Sequence, residues 1–160
     1  MPLTNYQRLI KLAEEVFDFR NDPDQLNVDQ EIMARLKEIH PATMSELSDE
    51  NGPVAWLLVI PTTTDLMNRF VSKEISEKEL FELTPINEEY GALYLCSGLV
   101  LEEYRRKGII KRMALKAIKD ISKDHNLKYL FSWAFTKEGD LAAEELARLT
   151  GLPLYKRTTV

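Results

Sequence analysis

The chain has 160 residues and a net charge of −5 at pH 7, with 44% hydrophobic and 29% charged residues. These values predict one soluble globular domain over residues 1–160, and they argue against a general nucleic-acid binder, which would be basic. The apolar runs are too short to span a membrane, and residues 1–5 do not resemble an export signal. Because the single cysteine cannot form an internal disulfide, we expect a cytoplasmic protein.

The first part of the chain predicts two helices and a β-hairpin. Residues 4–7 have the form of a capping box and are followed by apolar residues at helical spacing. A second helix opens at residues 27–30 and ends before Pro41, because the residue preceding a proline is pushed out of helical geometry. The hairpin comprises strands at residues 44–48 and 54–60, joined by a turn.

Residues 62–83 return to a helical pattern, with a second capping box at residues 76–79. Two interpretations of the hydroxyls of Thr62, Thr63 and Thr64 remain open. They could belong to the wall of a pocket formed by this insert, or they could serve only as helix caps.

The second half of the chain alternates strands and helices. Residues 92–101 are apolar on both faces, which predicts a central strand, and Gly98 within it predicts a bulge or a close backbone approach. The remaining elements are a helix at 108–123, a strand at 129–135, a helix at 140–149 ended by Gly151, and a strand at 154–159. The core stripe of the first of these helices is Ile110, Met113, Ala117 and Ile121. This order predicts a mixed α/β fold.

One segment is strongly basic within this acidic chain. Residues 105–123 carry eight Lys or Arg and one acid, a local charge of +7, so the remainder sums to −12. Arg105, Arg106 and Lys107 precede the helix, where its dipole disfavours cations by roughly 0.3–1 kcal/mol per charge. An anion bound by backbone N–H groups of residues 107–111 would resolve this conflict, and Gly108 would allow its close approach. The later cations have the spacing of a solvated helix face: Arg112, Lys116, Lys119 and Lys123.

Residues 99–110, Leu-Val-Leu-Glu-Glu-Tyr-Arg-Arg-Lys-Gly-Ile-Ile, resemble the acyl-CoA motif of the GNAT superfamily of N-acetyltransferases. That motif reads Arg/Gln-x-x-Gly-x-Gly/Ala after a strand and a short acidic-aromatic turn, and Arg105 and Gly108 match it. The resemblance covers roughly residues 92–155. Its later part is similar to the family's Asn-x-x-Ala, Leu and Gly-Phe sequence, through Asp140, Ala143, Leu146, Gly151 and Leu152.

The resemblance implies a splayed mixed β-sheet flanked by helices, with acetyl-CoA as co-substrate in the cleft between the strands at 92–101 and 128–135. Main-chain groups of Leu99, Val100 and Leu101 would pair with the pantetheine arm. Asp140 would lie near the cofactor. The pyrophosphate would be held at the turn by Arg105, Arg106, Lys107, Gly108, Ile109, Ile110 and Lys111.

Three positions depart from the family pattern. Ile110 replaces the second Gly or Ala of the cradle, so its side chain must point into the core. Ala147 stands where the family often has a tyrosine that protonates the departing thiolate, and Asp140 replaces the usual asparagine. Two functions therefore stay open: an N-acetyltransferase acting on a primary amine of a small molecule or a protein terminus, and a non-catalytic acyl-CoA-binding or interaction module.

The proton donor for an acyl transfer must then come from elsewhere in the chain. Tyr94 and Cys96 share one face of the central strand and could supply it, as could Tyr155 on the last strand; each could equally be a core residue. Glu88 and Glu89 could act as a base through water, or form a solvated loop.

No metal, membrane or nucleic-acid partner is expected. His40 and His125 stand alone in the sequence, without the spacing of ligands that a zinc site needs. The acceptor amine is not identified by any motif. An exposed terminal strand could pair two copies of the chain as a homodimer.

Overall fold

The computed structural model describes residues 2–20, 24–26 and 28–158. Six α-helices and five strands lie in these residues, in the predicted order, with short 3₁₀ turns at Pro41–Thr43 and Glu102–Tyr104. The elements are α1 (Asn5–Arg20), α2 (Gln30–Ile39), β1 (Met44–Asp49), β2 (Gly52–Thr62), α3 (Thr64–Val71), α4 (Glu77–Leu83), β3 (Ala92–Val100), α5 (Ile109–Ser122), β4 (Tyr129–Ser132), α6 (Lys137–Thr150) and β5 (Leu154–Lys156).

The five strands form one mixed sheet in the order β1-β2-β3-β4-β5. β1, β2 and β3 are antiparallel neighbours, whereas β3, β4 and β5 run parallel to one another. The predicted central position of residues 92–101 is confirmed. The strand predicted at 129–135 is shorter than expected because β4 ends at Ser132, and the last strand ends at Lys156. Residue 159, included in that last prediction, lies outside the described residues.

Local side-chain caps explain where most helices begin. The capping box at residues 4–7 is confirmed, because the Gln7 amide donates to Thr4 Oγ1 over 3.1 Å and the Thr4 amide donates to Gln7 Oε1 over 2.9 Å. The box at Ser76 is confirmed as well. Thr63 caps α3, and the buried hydroxyls of Thr62 and Thr84 lie 2.7 Å apart. The hydroxyls of Thr62 and Thr63 therefore serve the fold, one in a buried hydrogen bond and the other as a helix cap.

The sheet buries apolar side chains on both faces. On one face α2, α3 and α4 pack around Tyr94 and Phe131, and on the other α5 and α6 pack around Leu93 and Leu130. The buried face of α5 differs from the predicted core stripe, because Ile110 and Met113 are only half-buried. The buried residues of α5 are Ile109, Ala114, Ala117, Ile118 and Ile121. The helix faces β2 and β3 with this wider surface.

A buried arginine joins the insert of α3 and α4 to the last strand. The side chain of Arg157 is 4% exposed and forms an ion pair with Asp24 at 2.5 Å. Its Nη1 donates to the carbonyl oxygens of Ile75, at 2.6 Å, and Phe70, at 3.3 Å. The guanidinium carbon lies 4.7 Å from the Phe70 ring centroid and 4.6 Å from that of Trp133. One side chain therefore contacts segments from three parts of the chain.

Candidate functional site

A cavity of about 540 Å³ opens where β3 and β4 separate. The two strands pair only from Ala92 with Tyr129 to Leu95 with Ser132. Beyond Leu95, β3 continues to Val100 with ladder pairing on its β2 side alone. We call residues 97–100, which follow the bulge described next, the open edge of β3. The other walls of the cavity come from α1, α5, α6 and the segment after β4. The predicted splay of the sheet is present, and it creates this space.

A β-bulge shapes the start of the open edge. Val59 pairs with Leu95 and Leu58 pairs with Ser97, so Cys96 is an extra residue in β3. The bulge predicted near Gly98 is therefore confirmed, two residues earlier in the strand. Bulges re-aim the side chains that follow them.

The close backbone approach predicted at Gly98 is also present. A Cβ atom built on Gly98 would lie 2.8 Å from Cγ2 of Ile110, so the isoleucine side chain fills the space above the glycine. The Ile110 side chain is half-buried and packs against the core under α5. This is the inward orientation that the departure from the family motif requires.

The basic turn, residues 105–111, begins α5 without a side-chain cap. Gly108 has φ 71° and Arg106 has φ 65°, a left-handed conformation that is strained for a non-glycine residue. The first helical bond joins the Arg112 amide to the Gly108 carbonyl at 3.0 Å, so the amides of residues 109–111 precede it. Arg112 Nη1 also donates to the Lys107 carbonyl over 2.7 Å, which holds the turn. Amides that precede the first helical hydrogen bond and exposed cations therefore share one helix end, which suits an anion.

Two side-chain pairs fasten the acidic-aromatic turn that precedes the basic turn. Glu103 accepts two hydrogen bonds from Arg8 of α1, at 2.6 and 2.8 Å. The hydroxyl of Tyr104 donates to the carboxylate of Asp49, at the end of β1, and this bond raises the pKa of Tyr104. These contacts fix the basic turn relative to α1 and the hairpin.

The Glu103–Arg8 pair makes stability depend on pH. The hydrogen bond from Arg8 lowers the pKa of Glu103 from 4.5 to about 2. Because the folded pKa is depressed, the stabilisation is complete above 4.5 and is lost as the pH falls from 4.5 through about 2. Glu103→Gln should lower the unfolding temperature near neutral pH, and its difference from the wild type should shrink across that acidic window. The effect is small because the pair is exposed.

Glu102→Gln is the matched control for this experiment, since it removes a carboxylate from the same 3₁₀ turn and keeps the Arg8 pair. A Glu103→Gln difference that stays constant through the acidic window would contradict the assignment.

The residues expected to pair with the pantetheine arm lie at the end of β3. Leu99 lines the cavity, and Val100 is half-buried against the core under α1. Leu101 is buried, and its amide donates to the Val54 carbonyl over 2.9 Å. The cationic side chains of Arg105, Arg106, Lys107 and Lys111 are exposed around the turn. Of these predicted cofactor-binding residues, Leu99 and Ile110 are the ones that line the cavity within the described part of the chain.

Asp140 and Ala147 lie apart from the open edge. Asp140 pairs with Lys156 of β5, at 3.0 Å, and is not among the described residues that line the cavity. Ala147 packs half-buried in the core between α5 and α6, and it presents no hydroxyl that could donate a proton.

The two catalytic candidates on β3 share a buried carboxylate. The Tyr94 hydroxyl donates to Glu77 Oε2, and Cys96 Sγ lies 3.7 Å from the same oxygen. Glu77 is 2% exposed and also accepts from the Leu26 amide. Cys96 lines the cavity, whereas Tyr94 is fully buried in the core. Glu77 was not foreseen, because an acid in the first turn of a helix normally faces solvent.

Two more residues at the cavity were not foreseen from the sequence. Ser132 and Trp133 line it, both 3% exposed. Ser132 Oγ and Trp133 Nε1 lack a hydrogen-bond partner among the described residues. Their place at the carboxyl end of a parallel strand, where α/β proteins usually bind ligands, was the available signal.

The remaining candidates lie outside the cavity. Tyr155 is 44% exposed and packs edge-on against Tyr129, with ring centroids 5.6 Å apart. Glu89 accepts from the Asn126 amide over 2.8 Å and, like Glu88, is exposed.

The two histidines, which are far apart in the sequence, lie close together in the fold. The rings of His40 and His125 lie 5.9 Å apart, and His40 Nε2 is 2.7 Å from Asp124 Oδ2. Within residues 2–20, 24–26 and 28–158, no group of three or more His, Cys, Asp or Glu could hold a metal ion. The same part of the chain contains no helix that is both long and apolar enough to cross a membrane.

Residues 13–152 match the sequence profile of the acetyltransferase (GNAT) family. The chain belongs to the GNAT family. The match covers α5 and the elements on both sides of it, and it extends the resemblance seen at residues 92–155 towards the N-terminus. Among curated protein sequences, none is similar enough to this GNAT chain to count as a match.

Three solved structures are similar to this chain, and the one with a TM-score above 0.5 supports the fold. The NatB acetyltransferase complex bound to a bisubstrate inhibitor aligns with a TM-score of 0.51 and 14% identity, covering 83% of this chain and 66% of that one. Naa20 of Chaetomium thermophilum with a bisubstrate analogue gives 0.49 and 14%, covering 78% and 58%. An aminoglycoside acetyltransferase from an uncultured soil metagenomic sample, in complex with trehalose, gives 0.47 and 19%, covering 92% and 83%. The chain thus spans less than two thirds of the Naa20 and NatB chains it matches.

Proposed function

We propose that this GNAT protein transfers an acetyl group from acetyl-CoA to a primary amine of a small molecule or a protein terminus. The observation that carries the proposal is that two backbone regions meet beside one cavity, through the close approach of Ile110 to Gly98. One is the open edge of β3, and the other is the uncapped start of α5. Coenzyme A carries groups for both, since its pantetheine arm contains amides and its diphosphate is anionic.

The basic turn supplies the charge that this ligand needs. The amides of residues 106–111 would converge on the diphosphate, and the exposed cations of Arg105, Arg106 and Lys107 would surround it. Gly108 leaves room for an oxygen to approach the backbone. The conflict between these cations and the helix dipole would then be resolved by the substrate.

The open edge would hold the pantetheine arm as an additional strand. Its amides would pair with backbone groups of residues 97–100, which lie beyond the end of the ladder between β3 and β4. This placement directs the thioester towards the bulge at Cys96 and the carboxyl end of β4. The cavity would position the amine close to the thioester carbonyl, which is the main requirement of a direct transfer.

The reaction forms a C–N bond and breaks the thioester C–S bond, so the amine loses a proton and the thiolate gains one. Cys96 is the better placed of the two candidates on β3, because it is among the residues that line the cavity and Tyr94 is not. Glu77, which accepts from the Tyr94 hydroxyl and lies beside the Cys96 sulfur, would orient this group. Cys96 would protonate the departing thiolate and recover its proton from the ammonium product.

A second candidate function is a non-catalytic module that binds acyl-CoA. The specific observation in its favour is Ala147, which leaves no hydroxyl at the position where the family often has its proton donor. The two candidates share the cofactor site and differ only in turnover.

Calorimetry with acetyl-CoA tests the shared part, and thiol release across a panel of amines tests the transfer. We expect saturable binding and amine-dependent thiol release by the wild-type chain. Cys96→Ala should reduce the rate and leave acetyl-CoA affinity unchanged, because the residue acts on the leaving group. Binding without thiol release for any amine would favour the module. An absence of heat at millimolar acetyl-CoA would contradict both functions.

A further inference from the structure

The basic turn and the open edge of β3 touch each other through one side-chain contact. Ile110 is the second residue of α5, and Gly98 lies in the middle of the open edge. A Cβ built on Gly98 would lie 2.8 Å from Ile110 Cγ2, closer than real Cβ atoms approach, and 3.3 Å from its Cδ1, which is a tight contact. The isoleucine therefore occupies the space that any side chain at position 98 would need.

The bulge at Cys96 gives Gly98 the orientation that this contact requires. Gly98 pairs with Leu57, whose side chain belongs to the core beneath α5 and α6. Tyr94 and Cys96 belong to the opposite core, beneath α3 and α4. Without the extra residue, strand alternation would place Gly98 on that opposite face. The contact with Ile110 thus depends on the bulge.

Ile110 cannot easily move away from the strand. Its side chain packs both against the core beneath α5 and α6 and against the smaller core around Leu9 and Leu101 beneath α1. Dense packing transmits a displacement of one side chain to its neighbours. A larger residue at position 98 would therefore shift the start of α5, with its amides, relative to β3.

We propose that Gly98 and Ile110 are positioning residues that set the separation between the basic turn and the open edge. This inference rests on the proposed binding of acetyl-CoA, whose diphosphate and pantetheine arm would contact these two regions. Two contacts on one ligand reinforce each other only when their spacing matches the ligand. The isoleucine that departs from the family motif is thus matched by a glycine on the facing strand.

The test compares a ligand that reaches both regions with one that reaches only the turn. Coenzyme A contains both the diphosphate and the pantetheine arm, whereas ADP contains the diphosphate but lacks the arm. We expect Gly98→Ala to weaken coenzyme A binding about tenfold in calorimetry, through the overpacking it introduces, and to leave ADP affinity unchanged. A merely structural role would weaken both ligands together.

Two further variants complete the experiment. Adding Ile110→Ala to Gly98→Ala removes the clashing side chain and should return coenzyme A affinity towards the wild-type value. Gly91→Ala is the matched control, because its Cβ would also meet an atom at 2.8 Å, Thr64 Oγ1, and Gly91 is not among the residues that line the cavity. It should lower the unfolding temperature and leave both affinities unchanged.

Several outcomes would overturn the inference. They are unchanged coenzyme A affinity in Gly98→Ala, equal weakening of ADP and coenzyme A, no recovery in the double variant, and failure of ADP to bind the wild type. Failure of the wild type to bind coenzyme A would instead contradict the proposed function itself. The two failures are therefore distinguishable.

Discussion

Acetyl-CoA affinity is expected to fall at least about 100-fold when Gly108 is replaced by tryptophan. A Cβ at this position would point towards Arg112 Nη1, 3.4 Å away, and Lys111 Cε, 3.9 Å away. The indole would therefore enter the space among the cations and amides that we assign to the diphosphate. Charge-assisted hydrogen bonds to an anion are among the strong ones, so excluding the ligand there removes a large share of binding. Calorimetry with the wild type and the variant measures the difference.

Gly151→Trp is the control for the backbone effect of this substitution. Gly151 ends α6 with φ 74°, close to the φ of 71° at Gly108, and a Cβ there would meet nothing within 4 Å. Both variants carry the penalty of a left-handed non-glycine residue, about 1–2 kcal/mol. Only Gly108→Trp should lose affinity. Equal affinities of the two variants for acetyl-CoA would show that the basic turn is not part of the binding site.

The second large effect is expected from Arg157→Ala, which should lower the free energy of unfolding by roughly 2–4 kcal/mol, through an unsatisfied buried carbonyl and a cavity. The substitution removes the donor to the Ile75 carbonyl and the weaker of two donors to the Phe70 carbonyl, and it opens a gap between the rings of Phe70 and Trp133. Asp24 also loses its cation, although its half-exposed carboxylate can be solvated. Urea unfolding of the wild type and the variant measures the change.

Arg157→Lys separates the charge from the geometry of the guanidinium. Lysine keeps the positive charge, but it cannot reach two carbonyls and a carboxylate at once or stack as a plane between two rings. We expect an intermediate loss of stability. If Arg157→Ala changes stability by no more than a typical surface substitution, within about 0.5 kcal/mol, the buried contacts carry little of the stability.

Short-range signals explain why the helices and most strand positions could be predicted. The capping boxes at Thr4 and Ser76 and the break before Pro41 depend on residues within four positions of one another. The basic turn was found in the same way, because cations at the start of a helix oppose its dipole within the same few residues. The family match over residues 13–152 confirms the resemblance that this turn brought to light.

Long-range contacts explain what could not be predicted. The glycine within the predicted strand indicated a bulge or a close backbone approach at Gly98, but only the pairing with β2 places the extra residue at Cys96. Glu77 has the sequence context of a solvated first-turn acid, and it is buried because α4 packs against β3. His40 and His125 lie in separate parts of the sequence, and the fold brings their rings together. None of these contacts is indicated by a pattern among residues that are close together in the sequence.

The contacts of Arg157 also bear on the order in which the protein is assembled during synthesis. They join residues separated by 82, 87 and 133 positions, and Arg157 follows every helix and strand of the fold in sequence. A ribosome releases the N-terminal elements first, so α3 and α4 must wait for this residue before their attachment is complete. Closing such long loops is a late event in folding. Loss of the arginine should accordingly accelerate unfolding more than it slows folding.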